Sequence, residues 1–240
     1  MTTKDSGLST PEFRAKTTES ALVSAQAIAG ALFFVFLVMH LSNTLLATFG
    51  ADVYNSYQQV IRKIYQHPIL EIALVIGPLV THVVAGLWLY LIRKKWQINR
   101  TLRYRIQTWA GFFLLLVVFG HMLATRGISF WYGPIPGFEG ISFSLWWVPS
   151  YFYPYYFLLF LAGLYHGSMG AATLLKRAGF LKPSRKKWLP LCVAMFGTAG
   201  VTAALLGFGG VLFEIDDPRD NDYARQYSEL MDIDLSGPRY

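Results

Sequence analysis

The chain has 240 residues, of which 54% are hydrophobic and only 15% are charged. Soluble domains usually carry about 25% charged residues, so this composition argues against a soluble globular protein. The formal net charge of +7 does not indicate nucleic-acid binding, because the basic residues are concentrated in short blocks between long uncharged stretches. We therefore expect an integral membrane protein in contact with the lipid bilayer, with no nucleic-acid partner.

Five stretches of the chain are long and apolar enough to cross a bilayer as helices, which takes about 20 residues each. They predict an all-α integral membrane protein whose transmembrane domain covers residues 20–213. A polar N-terminal segment, 1–19, precedes this domain and an acidic C-terminal tail, 214–240, follows it. No room is left for a soluble catalytic domain, so we expect no enzyme activity from the chain alone. The predicted transmembrane helices cover residues 20–48, 69–92, 105–125, 148–175 and 188–213.

The distribution of basic residues predicts the orientation in the membrane. Segments 93–105 and 176–187 each contain six Lys or Arg residues and no acidic residue. Short loops rich in Lys and Arg stay on the side from which insertion occurs. Both segments connect an even-numbered helix to the next, so they share a side with the N-terminus. We therefore expect the N-terminus inside and the acidic tail outside.

The sequence contains an internal repeat that includes four histidines. Residues 24–44 and 105–125 share a glutamine, a glycine and a histidine at an offset of 81 residues, and the second and fourth helices share His-x-x-x-Gly. This tandem two-helix repeat predicts that helices one to four form an antiparallel bundle with an approximate two-fold axis along the membrane normal, and that helix five is peripheral. The matched pairs are Gln26 with Gln107, Gly30 with Gly111, His40 with His121, His82 with His166, and Gly86 with Gly170.

The same four histidines are predicted to lie at two depths. His82 and His166 each lie ten or eleven residues before an inner basic segment, which corresponds to about 15 Å along a helix. His40 and His121 fall in the outer half of their helices. The repeat and the residue counts therefore agree on an inner pair and an outer pair.

Paired histidines inside a membrane indicate a metal cofactor. Ionisable residues in the hydrocarbon region are costly and usually functional. No Asp, Glu, Lys or Arg lies deep in any predicted helix, which argues against a proton pump or ion-coupled transporter. Zinc would require ligands clustered at one level. Two histidines at each of two levels suit two six-coordinate haem irons. For any single histidine, the alternative is a hydrogen-bonded residue of the protein core.

Small and polar residues near the histidines complete the predicted site. Glycines near the histidines leave space for a wide, flat macrocycle, and the glutamines can hydrogen-bond haem edges or each other. Arg126 is placed to meet a propionate of the outer haem, although a cation that snorkels to the interface is the alternative. The predicted iron ligands are His40 and His121 for the outer haem and His82 and His166 for the inner haem, with Gln26, Gly30, Gly86, Gln107, Gly111, Gly170 and Arg126 around them.

The third connection, residues 126–154, is rich in aromatic residues and proline. Trp and Tyr at this depth are typical of an interfacial belt. The alternative is a lid over the outer haem or a wall for a quinone headgroup. The predicted cofactors are therefore two haem b groups, with quinone as a further candidate ligand.

Two of the predicted helices carry extended motifs around their histidines. The second contains Leu70-Glu71-Ile72 and Pro78-Leu79-x-x-His82-x-x-x-Gly86, and the third contains Gln107-x-x-x-Gly111 and His121-x-x-x-Thr125-Arg126. Over residues 20–213 the chain resembles the dihaem cytochrome b subunits of succinate dehydrogenases and fumarate reductases. The resemblance implies electron transfer between quinone and an iron–sulfur or flavoprotein partner.

Other motifs favour a second family with the same helices and histidines. They are His40-x-x-Asn43-Thr44 and Tyr65-Gln66-x-Pro68-x-x-Glu71. These motifs are similar to a fungal mitochondrial outer-membrane family that is linked to lipid homeostasis through recruitment of a lipid-transfer protein. This resemblance implies an adapter or scaffold with structural or vestigial haem, and it favours a mitochondrial membrane over a bacterial cytoplasmic membrane. Analogy of fold does not decide between the two functions.

Overall fold

The computed structural model describes residues 11–93, 101–133, 136–181 and 188–237, with side chains from residue 16 onward. All regular secondary structure within these ranges is helical, which confirms the predicted all-α class. Several basic residues used to predict the orientation lie outside the described residues, as do residues 1–10 of the polar N-terminal segment. They are Lys94, Lys95, Arg100, Lys182, Arg185, Lys186 and Lys187.

The described residues form eight helices, five long and three short. Two of the long helices contain a π-helical turn, at Glu71–Ile76 and at Leu123–Gly127. The helices are α1 Pro11–Leu46, α2 Ala51–Tyr65, α3 Pro68–Ile92, α4 Leu102–Tyr132, α5 Phe138–Trp147, α6 Pro149–Arg177, α7 Leu189–Phe208 and α8 Asp222–Met231.

The five long helices, α1, α3, α4, α6 and α7, are each long and apolar enough to cross a membrane. Many of their largest apolar side chains point outward; Leu116, Phe119 and Phe196 are 80%, 69% and 77% exposed. Such an apolar exterior is unfavourable in water and favourable in lipid, where a helix also satisfies its own backbone hydrogen bonds. Length, composition and exposure thus identify a membrane protein.

The helix boundaries differ from the predicted ones at three points. The first long helix begins at Pro11 rather than at residue 20, so it includes most of the second half of the polar N-terminal segment. The third long helix continues to Tyr132 rather than ending at residue 125, because the π-helical turn carries it through Arg126 and Gly127. The fifth ends at Phe208 rather than at residue 213, because Gly210 adopts a left-handed conformation with φ of 72°. A hydropathy pattern reports only the length of an apolar stretch. The π-helical turn and the left-handed glycine do not change that length, so the pattern did not predict either boundary.

The long helices pack in two pairs that follow the sequence repeat. Helix α1 packs along α3 and α4 packs along α6, while α6 also contacts α1. Within the described residues no extensive backbone contact joins α1 to α4 or α3 to α6. Helix α7 packs against α1 and α6, outside these two pairs. The best-packed core therefore lies on the α7 side, where Val201, Ala204 and Phe208 are at most 1% exposed.

The short helices α2, α5 and α8 form a layer over one end of the long helices. The Asn55 side chain on α2 donates to Glu139 on α5 and accepts a hydrogen bond from the Phe138 amide, both at 2.9 Å. Helix α8 of the acidic tail packs on α5, and the Tyr223 hydroxyl donates to the Ala124 carbonyl of α4 at 2.9 Å. This part of the tail is thus ordered, and we call α8 the acidic strap.

Candidate cofactor site of two facing histidine pairs

The structure brings the four intramembrane histidines together in two pairs, each formed by two different helices. His40 of α1 faces His121 of α4, with ring centroids 5.9 Å apart and planes inclined at 69°. His82 of α3 faces His166 of α6, at 6.0 Å and 88°. Each pair joins helices whose backbones do not pack extensively on each other, so the side chains alone meet across the interior.

The separation of the rings matches two imidazoles on opposite sides of one metal ion. An imidazole nitrogen ligates a transition metal at about 2.0 Å, which places the two ring centres about 6 Å apart. Edge-to-face aromatic pairs have similar centroid distances, so the distance alone does not identify a metal site. The hydrogen bonds of the rings provide the second criterion.

The inner histidines are held by main-chain carbonyl groups in the same way in both halves. His82 Nδ1 lies 2.9 Å from the Gln26 carbonyl oxygen, and His166 Nδ1 lies 3.1 Å from that of Gln107. A carbonyl oxygen only accepts, so each Nδ1–H donates and each Nε2 keeps its lone pair. Metal-ligating histidines characteristically donate their other ring N–H to such a group, which fixes the tautomer and the ring orientation.

Two glycines of the repeat make room for the inner histidines. A Cβ atom on Gly30 would lie 2.7 Å from His82 Nδ1, and one on Gly111 would lie 2.9 Å from His166 Cε1. These positions were predicted to leave space for a macrocycle. In the structure they face the imidazole of the neighbouring helix, so their direct role is to let that ring reach the carbonyl group.

The other predicted glycines differ from each other in their surroundings. A Cβ on Gly86 would meet the Gln26 side chain at 2.8 Å, whereas one on Gly170 would have no atom within 4 Å. Gly167, next to His166, instead faces Leu37 and Phe34 of α1, which is ordinary helix packing. Of this set, Gly170 alone faces open space.

The two predicted glutamines lie beside the inner pair. Gln107 Nε2 donates to the His166 carbonyl at 2.9 Å, and its Oε1 is buried with no partner among the described residues. Gln26 and Gln107 act on the histidines through their main-chain oxygens. That role was not predictable from the side-chain types, although the repeat had matched both positions.

Arg126 has a partner that the sequence did not predict. Its Nε and Nη2 donate to the two carboxylate oxygens of Glu71 at 2.6 and 2.8 Å, which makes a bidentate ion pair between α3 and α4. The role of Arg126 at a haem propionate stays a prediction. Phe36 stacks on His40 at 5.6 Å and contacts Tyr65 at 5.1 Å, so Phe36 and Tyr65 also belong to the surroundings of the outer pair.

The residues present fit a wide cofactor with two axial ligands. No group of three or more His, Cys, Asp or Glu side chains that could hold a bare metal ion occurs in the described part of the chain. A haem iron needs only two protein ligands, because the porphyrin supplies the others. The Oε1 atom of Gln107, buried beside the inner pair with no partner among the described residues, is a polar atom that such a cofactor could also meet.

No family model matches the chain, and no curated protein matches its sequence. The class of the protein is therefore defined by its fold and its site. It is a helical membrane protein with two pairs of histidines, and the two rings of each pair face each other across the interior. The rings of one pair are anchored by main-chain carbonyl groups.

Proposed function

We propose that this chain is a dihaem b-type membrane protein that passes electrons between quinone and an iron–sulfur or flavoprotein partner. The observation that carries the proposal is the inner pair, in which two imidazoles lie 6.0 Å apart and each donates its Nδ1–H to a main-chain carbonyl oxygen, because both Nε2 lone pairs then remain available to one metal. In this proposal the five long helices span the membrane around a pseudo-two-fold axis, with the N-terminus inside and the C-terminus outside.

The chain's own residues position and insulate the redox centres. His40 with His121, and His82 with His166, would hold one iron each, and the carbonyl groups of Gln26 and Gln107 keep the inner imidazoles in the ligating tautomer. A haem bound in this way supplies one-electron transfer. The apolar helices exclude water from the centres, and the two levels of histidines provide a route across the bilayer.

A second candidate function is an adapter in a mitochondrial membrane with structural haem, which would recruit a partner such as a lipid-transfer protein. The acidic tail favours it, because Glu214, Asp216 and Glu229 are exposed, whereas Asp220 and Asp222 are ion-paired with Arg225. Such a surface suits a basic partner. Deleting residues 214–240 should then abolish recruitment, and intact recruitment would contradict this function.

The haem proposal is tested by optical spectroscopy of the purified full-length protein. A reduced-minus-oxidised spectrum with pyridine haemochrome quantitation should give two b-type haems per chain. His82→Ala and His166→Ala should each remove the inner haem and leave the outer one, because each removes one of its two axial ligands.

The matched control is His67→Ala, since His67 is the histidine outside the two pairs and is exposed at the start of α3. It should retain both haems. A wild-type protein without haem, or His82→Ala with an unchanged spectrum, would exclude the proposal. Reduction of the haems by quinol then separates the functions: it is expected of an electron-transfer subunit, and its failure would favour the adapter.

A further inference from the structure

Arg62 of α2 carries hydrogen-bond donors that the described residues leave unused. Its Nε and Nη1 atoms are buried and have no partner within the described part of the chain. Burial lowers the pKa of Arg62, but a guanidinium stays charged in proteins. A buried cation with unsatisfied donors is unfavourable, so these two nitrogens require a partner, an anion or an ordered water, that the described residues do not supply.

The side chains around Arg62 do not provide that anion. The Tyr65 hydroxyl lies near the guanidinium, and burial raises the pKa of both Tyr65 and Tyr54, which keeps these phenols neutral. Arg126 is close enough to lower the pKa of Arg62 further. Two carboxylates lie near this cluster, and both are engaged: Glu71 by Arg126 and Glu139 by the Asn55 amide. Neither of them pairs with Arg62.

The cluster adjoins the outer histidine pair. Tyr65 contacts the Phe36 ring at 5.1 Å, and Phe36 stacks on His40 at 5.6 Å. A group bound by Arg62 would thus lie beside a cofactor held by His40 and His121, at the end of the site nearest α2. Haem b carries two propionates, and a guanidinium presents a planar array of donors that matches a carboxylate.

We propose that Arg62, with the Tyr65 hydroxyl, forms an anion site that binds a propionate carboxylate of the outer haem. This assignment rests on the proposed function, because it requires that a haem be present. It differs from the sequence-based prediction for Arg126, two of whose nitrogens already bind Glu71. A lipid phosphate is the other source of an anion at this depth, and the experiment separates the two.

The test compares Arg62→Gln and Arg62→Lys with the control Lys63→Gln, which removes the charge of the exposed neighbour on the same helix. The full-length protein is titrated potentiometrically in nanodiscs of defined phospholipid, and haem release to an apoglobin is timed. Arg62→Gln should lower the midpoint potential of the outer haem, because loss of a nearby cation favours the ferric state. It should also accelerate release of that haem about tenfold, the effect of losing a charged hydrogen bond.

The inner haem should be unaffected in all variants, and Arg62→Lys should show a smaller potential shift than Arg62→Gln because it keeps the charge. If Arg62→Gln does not accumulate, Arg62→Lys is still expected to release the outer haem faster than Lys63→Gln does.

If the Arg62 variants match Lys63→Gln in both readouts, the inference is wrong while the proposed function stands. A wild-type protein without haem overturns both. Loss of a co-purifying phospholipid in Arg62→Gln, with both haem potentials unchanged, would assign the site to a lipid phosphate and overturn the propionate assignment.

Discussion

Gly30 and Gly111 show how single residues control the inner histidine pair. Glycine within a helix costs about 0.5–1 kcal/mol relative to alanine, so its presence at matched positions of two helices needs a reason. That reason is the imidazole of the neighbouring helix, which occupies the place of a Cβ atom at both positions. Each histidine can therefore approach the neighbouring helix closely enough to donate to a carbonyl group of that helix, the one four residues before the glycine.

Gly111→Ala tests this role against Gly120→Ala on the same helix. A Cβ at position 111 would lie 2.9 Å from His166, whereas one at position 120 would have no atom within 4 Å. Gly111→Ala should displace the ring, cost about 1–3 kcal/mol of stability and reduce the inner haem signal. Gly120→Ala should keep both haems. Haem content and thermal unfolding in detergent measure the two effects, and identical behaviour of the variants would contradict this role.

At the scale of secondary structure, two π-helical turns meet where the first part of α3 lies beside the last part of α4. Glu71 begins one turn and Arg126 lies within the other, and their bidentate ion pair joins the helices. Such turns insert an extra residue and shift the helix face that follows, and they occur often at functional sites. The turn at Leu123–Gly127 begins two residues after His121 and contains Arg126, which reaches Glu71 on α3.

The ion pair is tested by a double-mutant cycle with Glu71→Gln and Arg126→Gln. The Glu71 and Arg126 side chains are only 14% and 34% exposed, so each single variant leaves a partly buried charge without its partner. Each should lower the free energy of unfolding by about 1–3 kcal/mol, and the double variant should recover part of that loss. Chemical unfolding in mixed micelles measures the cycle; strictly additive losses would show that the pair is not coupled.

At the scale of the whole molecule, the best-packed core and the candidate cofactor site lie in different regions. The best-packed core joins α1, α2, α5, α6 and α7, whereas the contacts among the four histidine-bearing helices run within α1/α3 and α4/α6 and between α1 and α6. The tightest packing therefore lies on the α7 side of the protein, away from the α3 and α4 helices. The acidic strap α8 lies at the same end of the long helices as α2 and α5.

The proposed orientation is tested with single cysteines in a Cys192→Ser background. Phe180→Cys replaces an 81% exposed residue in the fourth connection, and Ser236→Cys lies in the tail after α8. In sealed membranes, a membrane-impermeant maleimide added outside should label position 236 at once. It should label position 180 only after permeabilisation, since the two positions are expected on opposite sides. The reverse pattern would invert the orientation.

Local properties of the sequence were enough to predict the all-helical class and the apolar lengths of the five long helices. A helix satisfies its backbone hydrogen bonds internally, so its capacity to cross lipid depends on a run of neighbouring residues. The internal repeat also identified which positions correspond, including Gln26 with Gln107 and Gly30 with Gly111. Helices α2 and α8 escaped prediction because they are amphipathic, and hydropathy over a long window does not detect them.

Only the tertiary structure decided how these residues act on one another. The donation from His82 to the Gln26 carbonyl joins residues 56 positions apart, and the Arg126–Glu71 pair joins residues 55 apart. A main-chain oxygen exists at every residue, so no side-chain pattern shows which one a histidine will reach. The unused donors of Arg62 are equally a property of its neighbours in space, because burial and missing partners arise only when distant segments pack together.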